Sequence, residues 1–171
     1  MQSEPSPEQR VFKDVQELKK HLAPLRAQGK TLVTTNGCFD IVHSGHILYL
    51  TEAAGLGDFL VVGVNADETV RRIKGSGRPV RTEDDRVRVV AALGMVDGAF
   101  VFREDDPRAF LEILRPDIHV KGGDYTEDII ERETVERHGG KVIIVSYVDG
   151  FSTTSLVSKI RSNPPCPPMR A

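Results

Sequence analysis

Short apolar, β-branched runs alternate with amphipathic segments between residues 30 and 161, and this alternation limits the possible folds more than any other feature. The strand-like runs are Thr31–Thr35, Phe59–Asn65, Ala99–Phe102, Asp117–Lys121 and Val142–Ser146. Between them, apolar residues recur at helical spacing over about Ser44–Gly55, Asp67–Lys74 with Glu83–Leu93, Pro107–Leu114 and Glu127–His138. Strands joined through helices run parallel, and a parallel sheet needs cover on both faces. The spacing also predicts a helix over Asp14–Ala27 and a last one from about Thr153 to Arg161. The expected class is α/β, a doubly wound parallel sheet of five strands. Ligands bind such a sheet beyond the carboxyl ends of its strands, where the strand order reverses.

Chemistry-bearing residues fall at those ends. Directly after the first strand comes Asn36-Gly37-Cys38-Phe39-Asp40-Ile41-Val42-His43-Ser44-Gly45-His46, with Ser44 as expected N-cap. A strand that turns into a helix through Gly and His brings unpaired backbone N–H groups and two imidazoles to one point. Phosphate is attracted there by the N–H groups and the helix dipole. Half of a metal site and a purely structural pair are the other readings of two histidines three apart. No CxxC or HExxH run accompanies them.

Later segments repeat the pattern. Lys121-Gly122-Gly123-Asp124-Tyr125 follows a strand, and its glycines allow close approach to a ligand or a tight turn. There Lys121 is placed to neutralise a phosphate and Asp124 to accept from sugar hydroxyls. Ser152-Thr153-Thr154 opens the last helix with hydroxyls and free N–H groups, as an anion site or as a plain cap. The loop Lys74-Gly75-Ser76-Gly77-Arg78-Pro79 is basic and glycine-rich, which makes Lys74 and Arg78 phosphate candidates and Arg86 a weaker one. Glu104-Asp105-Asp106 reads as a cap for the helix after Pro107, and His21, His119 and His138 as packing or surface residues.

A length of 171 residues suits one domain with a single core. The expected division is an N-terminal arm and helix over 1–29, the domain proper over 30–161, and a proline-rich tail over 162–171. A formal net charge of −2 gives no electrostatic reason to expect nucleic acid or a membrane surface. No apolar run reaches the roughly 18 residues of a membrane span, and the N-terminus lacks a secretion pattern. Two isolated cysteines, Cys38 and Cys166, suit a reducing cytoplasm.

The run His43-Ser44-Gly45-His46 after Gly37-Cys38-Phe39-Asp40 resembles the HxGH motif of the cytidylyltransferase-like nucleotidyltransferases. Gly63-Val64-Asn65-Ala66-Asp67, Arg78-Pro79-Val80, Val120-Lys121-Gly122-Gly123-Asp124-Tyr125 and Asp149-Gly150-Phe151-Ser152-Thr153-Thr154 follow in order. Together they resemble the branch that makes ADP-heptose from ATP and heptose 1-phosphate, over about Lys30 to Arg161. The resemblance implies a Rossmann-like HxGH nucleotidyltransferase fold. It implies that His43, His46 and Lys121 are catalytic and that Gly37, Cys38, Phe39, Gly45, Asn65, Lys74, Arg78, Ser152, Thr153 and Thr154 contact the nucleotide. Asp40, Gly123 and Asp124 would lie beside the sugar phosphate. It further implies Mg²⁺ on the triphosphate, with no metal ligands assigned among these residues, and a homodimer.

In many organisms such a domain is fused to a sugar kinase, and this chain is expected to be the standalone form. Cytidylyltransferases for glycerol or choline phosphates carry an arginine where this chain has Tyr147, which favours the heptose branch. A cytidylyl- or guanylyltransferase for another polyol phosphate and a non-catalytic nucleotide sensor are the alternative functions.

Overall fold

The computed structural model describes residues 6–123, 129–145 and 153–162, the last without the side chains of residues 154, 155 and 161. Six strands form one parallel sheet: β1 (Val11–Phe12), β2 (Leu32–Gly37), β3 (Phe59–Asn65), β4 (Gly98–Phe102), β5 (Ile118–Gly122) and β6 (Lys141–Val145). Their order across the sheet is β1-β4-β3-β2-β5-β6. From β2 the chain winds outward through β3 and β4, then crosses back to lay β5 against the other side of β2. The strand order therefore reverses between β2 and β5, where Val33 lies beside Ile118 and Thr35 beside Val120. That crevice is where a ligand is expected.

The helices are α1 (Val15–Ala27), α2 (Ser44–Ala54), α3 (Asp67–Lys74), α4 (Glu83–Ala91), α5 (Arg108–Leu114), α6 (Arg132–Arg137) and α7 (Thr153–Ser162). Asp14 caps α1 by accepting from the N–H groups of Gln16 and Glu17, both at 2.9 Å. Alternate strand residues divide the core between two faces. Val33, Leu60, Val62, Val64 and Val120 pack against Leu50 and Ala53 of α2 and Val87 and Val90 of α4. Leu32, Val61, Phe100 and Phe102 pack against Leu18 and Leu22 of α1 and Phe110 and Leu111 of α5. A buried Leu or Phe contributes about 1.5–3 kcal/mol through its removal from water.

Three expectations are corrected. The sheet has six strands, because Val11 and Phe12 pair in parallel with Ala99 and Phe100. Two residues are too few to show alternation, so this edge strand has no readable period. The arm expected ahead of the first helix, within 1–29, contains a 3₁₀ turn at Pro7–Arg10. The helix expected over Glu127–His138 begins only at Arg132, with Glu131 as its N-cap. Glu131 points inward to an ion pair described below.

Candidate functional site

The first wall of the site is the turn from β2 into α2. At Gly37 a Cβ would stand 3.0 Å from the Phe39 ring, so a side chain there would displace that ring. Phe39 itself takes a left-handed backbone, φ 46°, which tucks its ring inward against His46 with centroids 5.4 Å apart. His43, rather than the expected Ser44, is the N-cap of α2, and its backbone is extended. Its N–H donates to Nδ1 of His46 at 3.3 Å, and the two rings lie 4.0 Å apart. A neutral imidazole that accepts at Nδ1 carries its proton on Nε2. Burial, then the neighbouring charges of His43 and Lys74, push the His46 pKa down to about 4. Burial also lowers that of His43. Both rings are therefore neutral, and His46, which lines the cleft, can donate its N–H to an anion.

A cleft of about 580 Å³ opens over this turn and the β2/β5 crevice. Gly37, Cys38, Phe39, Asp40 and His46 line it from the β2 side, and Asn65 and Lys74 from β3 and α3. Thr153, the first residue of α7, lines the opposite side, and its Oγ1 donates to the Ile41 carbonyl at 3.5 Å. Two helix N-termini thus meet at one cleft, and such ends favour an anion. Asp105, Asp106 and Pro107 form part of the rim. Their acids are spoken for: Asp105 pairs with Arg72, and Asp106 accepts from the Arg108 N–H at 3.0 Å.

The third wall is the end of β5. Lys121 is buried and donates from Nζ to Glu131 Oε1 at 2.6 Å and to Asn36 Oδ1 at 3.3 Å. Gly122 is required beside it, since a Cβ there would lie 2.9 Å from the Tyr49 ring. Tyr49 is in turn held by its hydroxyl, 2.5 Å from Thr35 Oγ1 and donating to the Val120 carbonyl at 2.9 Å. His119 points away from the cleft and bonds Thr34 Oγ1 at 2.9 Å through Nδ1. Burial, and secondly the Lys121 charge, push its pKa to about 3, so it serves as a neutral core residue as expected.

Two expected phosphate contacts are placed elsewhere. Arg78 does not line the cleft: its Nε donates to Asp40 at 2.5 Å. Asp40 also accepts from the N–H groups of Val80 and Arg81, at 2.8 and 3.1 Å. Asp40, expected beside a sugar phosphate, lines the cleft and spends both oxygens anchoring the loop after α3. Arg86 is fully buried and donates to the Cys38 and Arg81 carbonyls and to Asp67. Each of its three nitrogens donates to the protein, and the fully buried side chain does not line the cleft.

Of the remaining candidates, His43 and Gly45 lie in the α2 turn without facing the cleft, and the Gly123 N–H closes onto the Val145 carbonyl at 3.1 Å. Asp124, Ser152 and the side chain of Thr154 lie outside the described residues. Sequence reasoning missed Glu131, Asn36 and Tyr49. Only Tyr49 left a signal, its i, i+4 spacing from Ala53 on the buried side of α2.

The family description "Cytidylyltransferase-like" matches residues 34–168, a span that contains every wall of the cleft. The chain belongs to the cytidylyltransferase-like family. It is 49% identical over 140 residues to "Bifunctional protein HldE" of Geobacter sulfurreducens, which covers 81% of this chain and 29% of that protein. The protein of the same name from Azotobacter vinelandii is 50% identical over 139 residues, again 81% of this chain and 29% of the relative. This cytidylyltransferase-like chain thus spans under a third of the length of these relatives. Among solved structures it is similar to a lipopolysaccharide core biosynthesis protein from Thermoplasma volcanium. That likeness has a TM-score of 0.59 and 36% identity, over 70% of this chain and 98% of the other. No described helix is long and apolar enough to cross a membrane.

Proposed function

We propose that this chain transfers AMP from ATP to a heptose 1-phosphate, forming ADP-heptose and releasing pyrophosphate. The observation that carries the reading is the meeting of the His43–His46 turn at the start of α2 with the start of α7 across one cleft. The heptose acceptor rests on the KGGDY and DGxSTT segments and on the HldE relatives. The lipopolysaccharide core neighbour supports a surface-glycan sugar.

An oxygen of the sugar phosphate attacks the α-phosphorus in line. The new O–P bond forms as the bond to the β-phosphate oxygen breaks, and pyrophosphate leaves with that electron pair. The protein's part is positioning and charge stabilisation. The α2 N–H groups and the Nε2–H of neutral His46 donate to the phosphoryl oxygens, and Lys74 adds a cation at the rim. The hydroxyl and N–H groups that open α7 take the far end of the triphosphate. Among the described residues no three His, Cys, Asp or Glu side chains form a metal cage. A magnesium ion on the triphosphate would supply charge neutralisation there. The reading places the enzyme in the cytoplasm, as a homodimer.

Pyrophosphate release from ATP, CTP and GTP against heptose 1-phosphate, glycerol phosphate and other sugar phosphates tests the assignment. ATP with heptose 1-phosphate is expected to lead, and replacing His46 by Asn to lower turnover on the order of 10²–10³-fold. Preferred turnover of CTP with glycerol phosphate would reassign the substrates, and tight ATP binding without any release would make the chain a sensor.

A further inference from the structure

The Lys121–Glu131 pair divides the cleft into two chemically different walls. Lys121 was the residue expected to neutralise phosphate, yet its ammonium is 2.6 Å from a carboxylate, with both side chains buried. Asn36 Oδ1 holds the same Nζ at 3.3 Å. Away from water, the attraction between such charges is weakly screened, and a phosphate could recruit Lys121 only by stranding Glu131 beside a polyanion. The β5 wall therefore offers no net positive charge from this pair. Among the described residues nothing hydrogen-bonds Oε2, the second oxygen of Glu131, and Glu131 lines the cleft. Beside it Ile129 and the exposed Ile130 supply apolar surface. An apolar wall with one fixed acceptor matches a sugar ring, whose faces are C–H and whose edges are hydroxyl donors.

We propose that Glu131 is a specificity-determining residue: held by Lys121, it accepts hydrogen bonds from the hydroxyls of a sugar ring, so that the β5 wall reads sugar while the β2 and α7 walls take phosphate. The proposal rests on the nucleotidyl-transfer reading for the presence of a sugar in the cleft. The shared chemistry is a ring hydroxyl, and it has two sources, the ribose of the nucleotide and the acceptor sugar.

Calorimetric binding separates these sources and does not depend on turnover. One arm compares ATP with 2′-deoxy-ATP and 3′-deoxy-ATP; the other compares heptose 1-phosphate with its deoxy analogues. In the native protein the hydroxyl ligand is expected to bind about 10–100-fold more tightly in one arm, the range for a hydrogen bond to a charged group. The Lys121→Met/Glu131→Met double variant removes both charges together and leaves neither unpaired. It should reduce that preference to within about threefold in the same arm only. Glu131→Gln keeps an acceptor oxygen and should retain most of it. A preference near one in both arms of the native protein, or one unchanged in the double variant, overturns the assignment of Glu131. Failure of pyrophosphate release would instead count against the transfer reading, with the binding ratio still readable. A native protein that binds neither ligand series overturns both.

Discussion

Replacing Arg86 by Met separates a structural role for this arginine from the phosphate-binding role that its sequence position invites. The guanidinium is fully buried and spans three acceptors: the Cys38 carbonyl at 2.5 Å, the Arg81 carbonyl at 3.1 Å and Asp67 Oδ1 at 2.7 Å. Its removal strands two carbonyls, at about 1–3 kcal/mol for a buried acceptor left unpaired. It also takes the cation from Asp67, and breaking a buried pair costs about 3–5 kcal/mol. The Asp67 side chain is 22% exposed, so water recovers part of that loss, and Met refills much of the volume. These offsets bring the expected cost below the roughly 5 kcal/mol low end of the sum, to about 3 kcal/mol. For a chain of this length that corresponds to a drop in Tm of about 6–12 °C. Arg86→Lys should recover little of it, because one ammonium cannot reach three separated acceptors. Thermal unfolding followed by circular dichroism, paired with turnover at 25 °C, reads both effects. An unchanged Tm with turnover down a hundredfold would refute the reasoning and return Arg86 to the phosphates.

Two further outcomes follow from the same contacts. Asp40→Ala frees Arg78 and the N–H groups of Val80 and Arg81; tryptic cleavage after Lys74 and Arg81 should accelerate at least tenfold, and an unchanged rate would mean that Asp40 does not anchor this loop. Because His46 titrates near 4 in the folded chain and near 6.5 when unfolded, the unfolded state binds more protons between those values. Stability should thus fall as pH drops from about 6.5 to 4, and His46→Gln should flatten that fall in urea-unfolding midpoints, with His119 contributing equally to both proteins; parallel curves would contradict the depressed value.

The parts of this molecule legible in its sequence are those governed by local pattern. The runs Phe59–Asn65 and Asp67–Lys74 are bounded as expected, because their apolar period and first-turn acids act within a few residues. The HSGH turn was legible because Gly37 and the two histidines are adjacent in the chain. Glu131 was not: its partner Lys121 is ten residues back across a turn, and nothing between them marks a buried pair. The partners of Arg78 and Arg86 were not legible for a related reason. A basic loop beside a phosphate motif looks the same whether its cations face the ligand or the protein. Only the fold reveals that Asp40 and the Cys38 carbonyl claim them first.

That prior claim adds a polar brace to the β2–α2 turn, which Phe39 also ties to the apolar core. Asp40 belongs to the β2–α2 turn and accepts from the loop after α3, whereas Arg86 belongs to α4 and donates back to the turn at Cys38. The two segments are stapled in both directions by charges that never meet solvent fully. A hydrophobic clamp would need side chains packed over the backbone N–H groups that open α2. A polar clamp uses the carbonyls and leaves those N–H groups free. Arg78 and Arg86 thus act on the cleft indirectly, through the backbone that they fix.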